Sequence, residues 1–208
     1  MTPREKLQKK LDKAIRLMQE QRFADARTLV GELTKAIPQH PLVWNMAGIV
    51  ASEMGNARRA IPHFEKAVAL APDAADFHNN LGEALRQDLR VEESVPHFET
   101  ALRLEPQHGS AHNNLGAALA ALHRSEEAAA HFAAALDLRP ENPETLTNLG
   151  ITLMSERKPD KAVPCFERAL AMMPDNPVIL RHLGRALEHA DRFEEALALF
   201  ERAREGDA

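Results

Sequence analysis

Two observations predict an all-α fold, a solenoid of six stacked helix–turn–helix units. A pattern of small residue, Gly, x, x, Leu or Ala, then Ala-x-x-x-Phe, then Pro returns every 34 residues from residue 41 onward in a chain of 208. Inside each unit the apolar positions fall three and four apart and never alternate, which is helical spacing. A fixed period of this length builds an array in which each unit buries its apolar face against its neighbours.

Residues 1–6 read as a lead-in, and the array is expected to fill 7–208 as units 7–40, 41–74, 75–108, 109–142, 143–176 and 177–208. The first unit is degenerate, with Ala14, Leu17, Ala26, Val30, Leu33 and Pro38 in the signature places. The second reads Ala47-Gly48, Ala51, Ala60, Phe64, Ala67 and Pro72. Successive shifts find Leu81-Gly82, Ser94, Phe98 and Pro106, then Leu115-Gly116, Ala128, Phe132 and Pro140. Leu149-Gly150, Ala162, Phe166 and Pro174 follow, and the sixth unit supplies Leu183-Gly184, Ala196 and Phe200. Each closing proline cannot donate an N–H and so falls just past a helix end. Pro41, Pro143 and Pro177 fall in a first turn, where that donor is orphaned anyway. The turn inside each unit is expected at Gly55-Asn56, Arg90, Arg124, Lys158-Pro159-Asp160 and Asp191-Arg192.

Five of the nine glycines, Gly48, Gly82, Gly116, Gly150 and Gly184, sit mid-helix at one phase. Each costs about 1 kcal/mol relative to alanine, so a close approach of the two helices must offset it. Ala60, Ser94, Ala128, Ala162 and Ala196 are expected to provide the matching small surface. The phenylalanines then fill the volume between helices, and these residues carry no chemistry.

These residue types at these spacings resemble the tetratricopeptide repeat family, over residues 7–208. The resemblance implies a right-handed superhelix whose first helices line a concave groove for a partner peptide or helix. The groove positions it implies include Asn45, Asn79 and Asn113 at fifth places and Asn80, Asn114 and Asn148 at sixth places. An amide both donates and accepts, so such a ladder can pair with successive peptide groups of an extended chain. The runs His78-Asn79-Asn80-Leu81-Gly82 and His112-Asn113-Asn114-Leu115-Gly116 are similar to repeats of O-linked N-acetylglucosamine transferases, where such asparagines contact substrate backbone. The alternative is that asparagine is simply common here in the family.

Further along, the implied groove turns apolar through Ala117, Ala120, Ala121, Ile151 and Met154, then cationic through Arg181, His182 and Arg185. A cationic end suits an acidic partner segment, because guanidinium pairs bidentately with carboxylate; a solvated helix face is the alternative. The carboxylate clamp of chaperone-binding members wants Lys at a fifth place and Asn at a ninth. The ninth places here are Ile15, Ile49, Glu83, Ala117, Ile151 and Arg185, so that clamp is absent.

A formal net charge of −5 argues against a nucleic-acid partner. Residues 1–22 carry seven basic against three acidic side chains, net +4, which leaves −9 on the rest. Their apolar stripe, Leu7, Leu11, Ala14, Ile15 and Met18, reads as a cap that continues the array, in preference to a membrane-surface helix. One cysteine, Cys165, allows no internal disulfide, and no signal core or membrane-length stretch is seen, so the cytoplasm is expected and membrane insertion is not.

His63, His97, His131 and Cys165 form a row at one phase of successive second helices. Neighbouring helices stand roughly 8–10 Å apart, too far to share zinc at about 2.0–2.1 Å, so no metal and no other cofactor are expected. His78 and His112 are expected at the interface with the preceding unit. No phosphate loop, His-Glu-x-x-His, Gly-x-Ser-x-Gly or Cys-x-x-Cys occurs, and Cys165 has no adjacent base, so no enzyme is expected.

In the last unit Arg204 and Gly206 replace the apolar residues used earlier, such as Leu136 and Leu138, so the array is expected to end here. Leu197, Leu199 and Phe200 stay apolar, so self-association through this unit stays open. The sequence thus reads as a non-catalytic scaffold that binds protein or peptide. Its rival is the substrate-recruiting arm of a larger glycosyltransferase or sulfotransferase.

Overall fold

The computed structural model describes residues 2–205, and these form twelve α-helices with no strand among them. They group into two compact units, residues 1–106 and residues 107–208. The first holds α1 (Pro3–Gln19), α2 (Phe23–Ala36), α3 (Pro41–Glu53), α4 (Ala57–Leu70), α5 (Ala75–Gln87) and α6 (Val91–Leu104). The second holds α7 (Gly109–Ala121), α8 (Ser125–Leu138), α9 (Pro143–Ser155), α10 (Pro159–Met172), α11 (Pro177–His189) and α12 (Phe193–Glu205). Inside each unit every helix packs on the next one in sequence.

The first helix takes in most of the lead-in. A capping box starts it: Thr2 N–H donates to Glu5 at 2.8 Å and Glu5 N–H donates to the Thr2 hydroxyl at 3.2 Å. Two orphan donors are thereby satisfied.

All six turns inside the repeats share one geometry. Gln21, Gly55, Leu89, His123, Arg157 and Asp191 adopt left-handed φ between 56° and 75°. The next residue's N–H then reaches back to close the helix, as from Arg90 to the Leu85 carbonyl at 2.9 Å and from Arg192 to the Leu187 carbonyl at 2.9 Å. This is the Schellman ending, for which glycine is the usual residue; only Gly55 supplies one. The turn at residue 158 is shorter than the sequence reading. Pro159 and Asp160 open α10 instead, since proline's fixed φ suits a first helical position.

The mid-helix glycines face phenylalanine rings, not the alanine surface expected for them. A Cβ on Gly48 would lie 2.4 Å from the Phe64 ring, and on Gly82 2.7 Å from Phe98. The same clash recurs at 2.8 Å for Gly116 with Phe132, and at 2.6 Å for Gly150 with Phe166 and for Gly184 with Phe200. The glycine is the slot into which the ring edge fits. Pro62, Pro96 and Pro164 lie inside second helices, each on an exposed face where water can reach the carbonyl freed one turn earlier.

At the carboxyl end, Phe193 is 62% and Leu197 60% exposed, while Leu199 and Phe200 are half-buried. Gly206, read above as part of the closing cap, lies outside the described residues.

Candidate functional site

The two sets of asparagines have different surroundings. Asn45 stands three residues before Gly48 and so shares the packed face of α3; it is buried, as are Asn79 and Asn113. The Asn45 carbonyl oxygen accepts from the Asn80 amide at 3.0 Å, joining α3 to α5. The Asn113 carbonyl oxygen accepts from the Thr145 hydroxyl at 3.0 Å, joining α7 to α9. Asn45 and Asn113 therefore stitch first helices together, because a buried polar group needs a partner inside the protein. Asn80, Asn114 and Asn148 are half-buried at the rim. Among the described residues the Asn148 side chain makes no hydrogen bond.

In residues 107–208 the structure brings several predicted residues into one place. Ile151, Met154 and Ser155 of α9 and His182, Arg185 and His189 of α11 line a cleft of about 330 Å³. Ile151 is 40% exposed there, and Arg185 makes no ion pair among the described residues. Arg181 is exposed one turn before Arg185. The His182 ring stacks on Phe166 with centroids 5.7 Å apart. Burial pushes its pKa down, and the charges of Arg185 and Arg181 add to that, so it stays neutral near pH 7. The cleft therefore offers an apolar wall, a neutral imidazole and a guanidinium.

The histidines form contacts that the sequence row does not show. His78 is bonded through Nε2 to the Pro72 carbonyl of the preceding repeat at 3.0 Å, and its Nδ1 lies 3.3 Å from Nδ1 of His97, 19 residues on. His112 and His131 repeat the pairing at 3.0 Å. The contacts run between the two helices of one repeat, not along the row of second helices. No group of three or more His, Cys, Asp or Glu that could hold a metal occurs among the described residues. Burial raises the Cys165 pKa, partly offset by Arg168, which leaves the thiol unreactive at neutral pH.

A second periodic pattern escaped the sequence reading. Arg22 pairs with Asp25 at 2.7 Å, Arg90 with Glu93 at 2.6 Å, Arg124 with Glu127 at 2.7 Å and Arg192 with Glu195 at 2.6 Å. The signal was available as Arg followed three residues later by an acid, at the start of the second helix. In the second repeat those places hold Asn56 and Arg59, and the Asn56 side chain caps the Arg59 N–H at 3.1 Å.

Two family models described as tetratricopeptide repeat match the chain, one over residues 45–95 and 147–208, the other over 73–141 and 108–175. No curated protein matches. Among solved structures, PilW, a widely conserved type IV pilus biogenesis factor, matches with TM-score 0.84 at 22% identity, covering 93% of this chain and 90% of that one. MamA from Desulfovibrio magneticus RS-1 matches with TM-score 0.71 at 20% identity, covering 81% and 96%. YrrB, a TPR protein with an unusual peptide-binding site, matches with TM-score 0.69 at 20% identity, covering 85% and 91%. At these identities the likeness is one of fold.

Proposed function

The chain belongs to the tetratricopeptide repeat family, and on that premise we propose that it is a non-catalytic scaffold that holds an acidic protein or peptide segment against its first helices. The observation that carries this is the cleft between α9 and α11, where Ile151 and Met154 meet Arg185. An apolar anchor side chain fits the wall, and a carboxylate beside it pairs with the guanidinium. Asn148, with an uncommitted amide at the rim, can bond to the backbone of the same segment. Asn45, Asn79 and Asn113, buried within their own helix layers, are read as packing residues and not as peptide contacts. That the relative YrrB has a peptide-binding site, unusual or not, favours the same class of work. The lone Cys165 fits a reducing compartment, and the reading takes the cytoplasm as its setting.

The test is fluorescence polarisation of a labelled peptide in which leucines alternate with glutamates. The parent should bind it with an affinity that falls as salt rises. Replacing Ile151 and Arg185 together by Glu should weaken binding at least tenfold, since one change removes the anchor wall and both add repulsion. Unchanged binding would mean that the segment does not use this cleft.

A further inference from the structure

We propose that a cavity in residues 1–106, walled by α2, α3 and α4, is a second binding site for an acidic peptide segment that presents an apolar side chain beside carboxylates. The cavity measures about 310 Å³, at the small end of ligand pockets. The choice of a peptide occupant rests on the family reading above; the site itself does not.

Three departures from the repeat, all in one place, make this cavity. The first is Val30, a smaller side chain on the cavity wall that stands where the other second helices carry Phe64, Phe98, Phe132, Phe166 and Phe200. The second is Gly31, where the corresponding residues are Glu65, Glu99, Ala133, Glu167 and Glu201. A Cβ built there meets nothing within 4 Å. The third is Arg27, at a place where the array buries Ile61, Val95 and Val163 to 4%, 8% and 5% exposure. A guanidinium thus stands on the cavity wall at a place where three other repeats bury an aliphatic side chain.

The charges agree. Arg59 stands where the third, fourth and sixth repeats put the glutamate of their ion pair, and neither Arg27 nor Arg59 has an ion-pair partner among the described residues. Both line the cavity, over a floor of Val30, Ala47, Val50 and Met54. The other polar groups are already committed: the Thr34 hydroxyl donates to the Gly31 carbonyl at 3.0 Å and Asn56 caps α4. His63, held neutral by burial, adds no charge to that wall. Two unpaired guanidiniums over an apolar floor select an anion with an apolar neighbour.

Trp44, the only tryptophan, stacks on His63 with centroids 5.8 Å apart, so its emission reports on occupancy. The probe is a blocked Gly-Ser-Glu-Leu-Glu-Ser-Gly peptide, with its Gln-Leu-Gln and Glu-Ser-Glu analogues and sodium octanoate beside it. Binding should appear as a saturable change in Trp44 emission, at least tenfold weaker for either analogue and for Arg27→Gln with Arg59→Gln. Gly31→Leu should fill the cavity and abolish the change while keeping the melting temperature, since leucine is the better helix former and has room. The Ile151 and Arg185 replacements should leave this signal unaltered, and the polarisation titration of the α9–α11 cleft is read in the Gly31→Leu protein, where this cavity is filled, so the two sites are separated. Absence of a saturable change, or its persistence in Gly31→Leu, would overturn the proposal. Saturation by octanoate without any by the peptide would overturn the peptide occupant.

Discussion

The first repeat and the later ones solve the same packing problem with opposite choices. From the second repeat on, a glycine on the first helix receives the edge of a phenylalanine from the second. In the first repeat the glycine is Ala14 and the phenylalanine is Val30, both buried in one cluster with Leu17, Ala26 and Leu33. A methyl group has appeared where a ring was lost. The glycine is therefore not demanded by helix contact as such; it is demanded by the ring. Val30 also lines the cavity beside Gly31, on the side of α2 that faces α3 and α4.

The sharpest way to break this comparison is to transplant the first repeat's choice into the third. Gly82→Ala alone forces a Cβ to within 2.7 Å of the Phe98 ring and overpacks the core, at a cost of about 1–3 kcal/mol. Phe98→Val alone empties a fully buried site, a loss approaching the roughly 3–5 kcal/mol of Phe→Ala changes. Together they should cost less than their sum by about 0.5–3 kcal/mol, read from urea unfolding of the four proteins. Strict additivity would show that ring and glycine are not one unit. Gly116→Leu, whose Cβ meets Phe132 at 2.8 Å, should show the overpacking penalty in its larger form.

A smaller effect separates the amides. The first repeat has Leu11 and Asp12 at the places of the asparagine ladder and makes no stitch of this kind. Asn80→Ala leaves the buried Asn45 oxygen without its donor, which should cost about 1–3 kcal/mol. Asn148→Ala breaks no hydrogen bond and should stay within about 0.5 kcal/mol of the parent. Equal shifts in the melting temperature would mean that the ladder is uniform after all.

The helix count and the core were legible because a period of 34 repeats every packing decision several times. What the period hides is which neighbour a side chain meets. Gly48 and Phe64 lie 16 positions apart in sequence, and His78 and His97 lie 19 apart; neither spacing belongs to a single helix. Asn45 and Asn80 are the same residue type one place apart in the repeat, yet only the fifth-place side chain is buried, and their hydrogen bond across repeats is not written in either helix alone. For the candidate site, Ile151 and Arg185 were legible as residues but not as one cleft, since their meeting depends on how α9 and α11 pack. The cavity beside Gly31 was legible only as a weak first copy of the signature, and what the weakness leaves open is a matter of volume.

The smallest effect concerns protons, and again it sets the first repeat apart. His63, His97 and His182 all have pKa values lowered by burial; for His97 the neighbouring His78 adds to the shift while Glu93 opposes it. The first repeat holds Leu29 where the second holds His63, so its helices contain no such group. A lowered folded pKa means that the unfolded chain takes up the proton first. The stability these imidazoles contribute is fully present above their ordinary value of about 6.5 and is lost as pH falls through the lowered folded value. The melting temperature should therefore fall from pH 7.5 to pH 5, and His97→Gln should flatten part of that slope. Amide hydrogen exchange at pH 5.5, compared at matched intrinsic rates, should show α5 and α6 losing protection before α1 and α2 do. A melting temperature that is flat over this range, or a loss of protection that begins in α1, would place the acid sensitivity outside the histidine contacts.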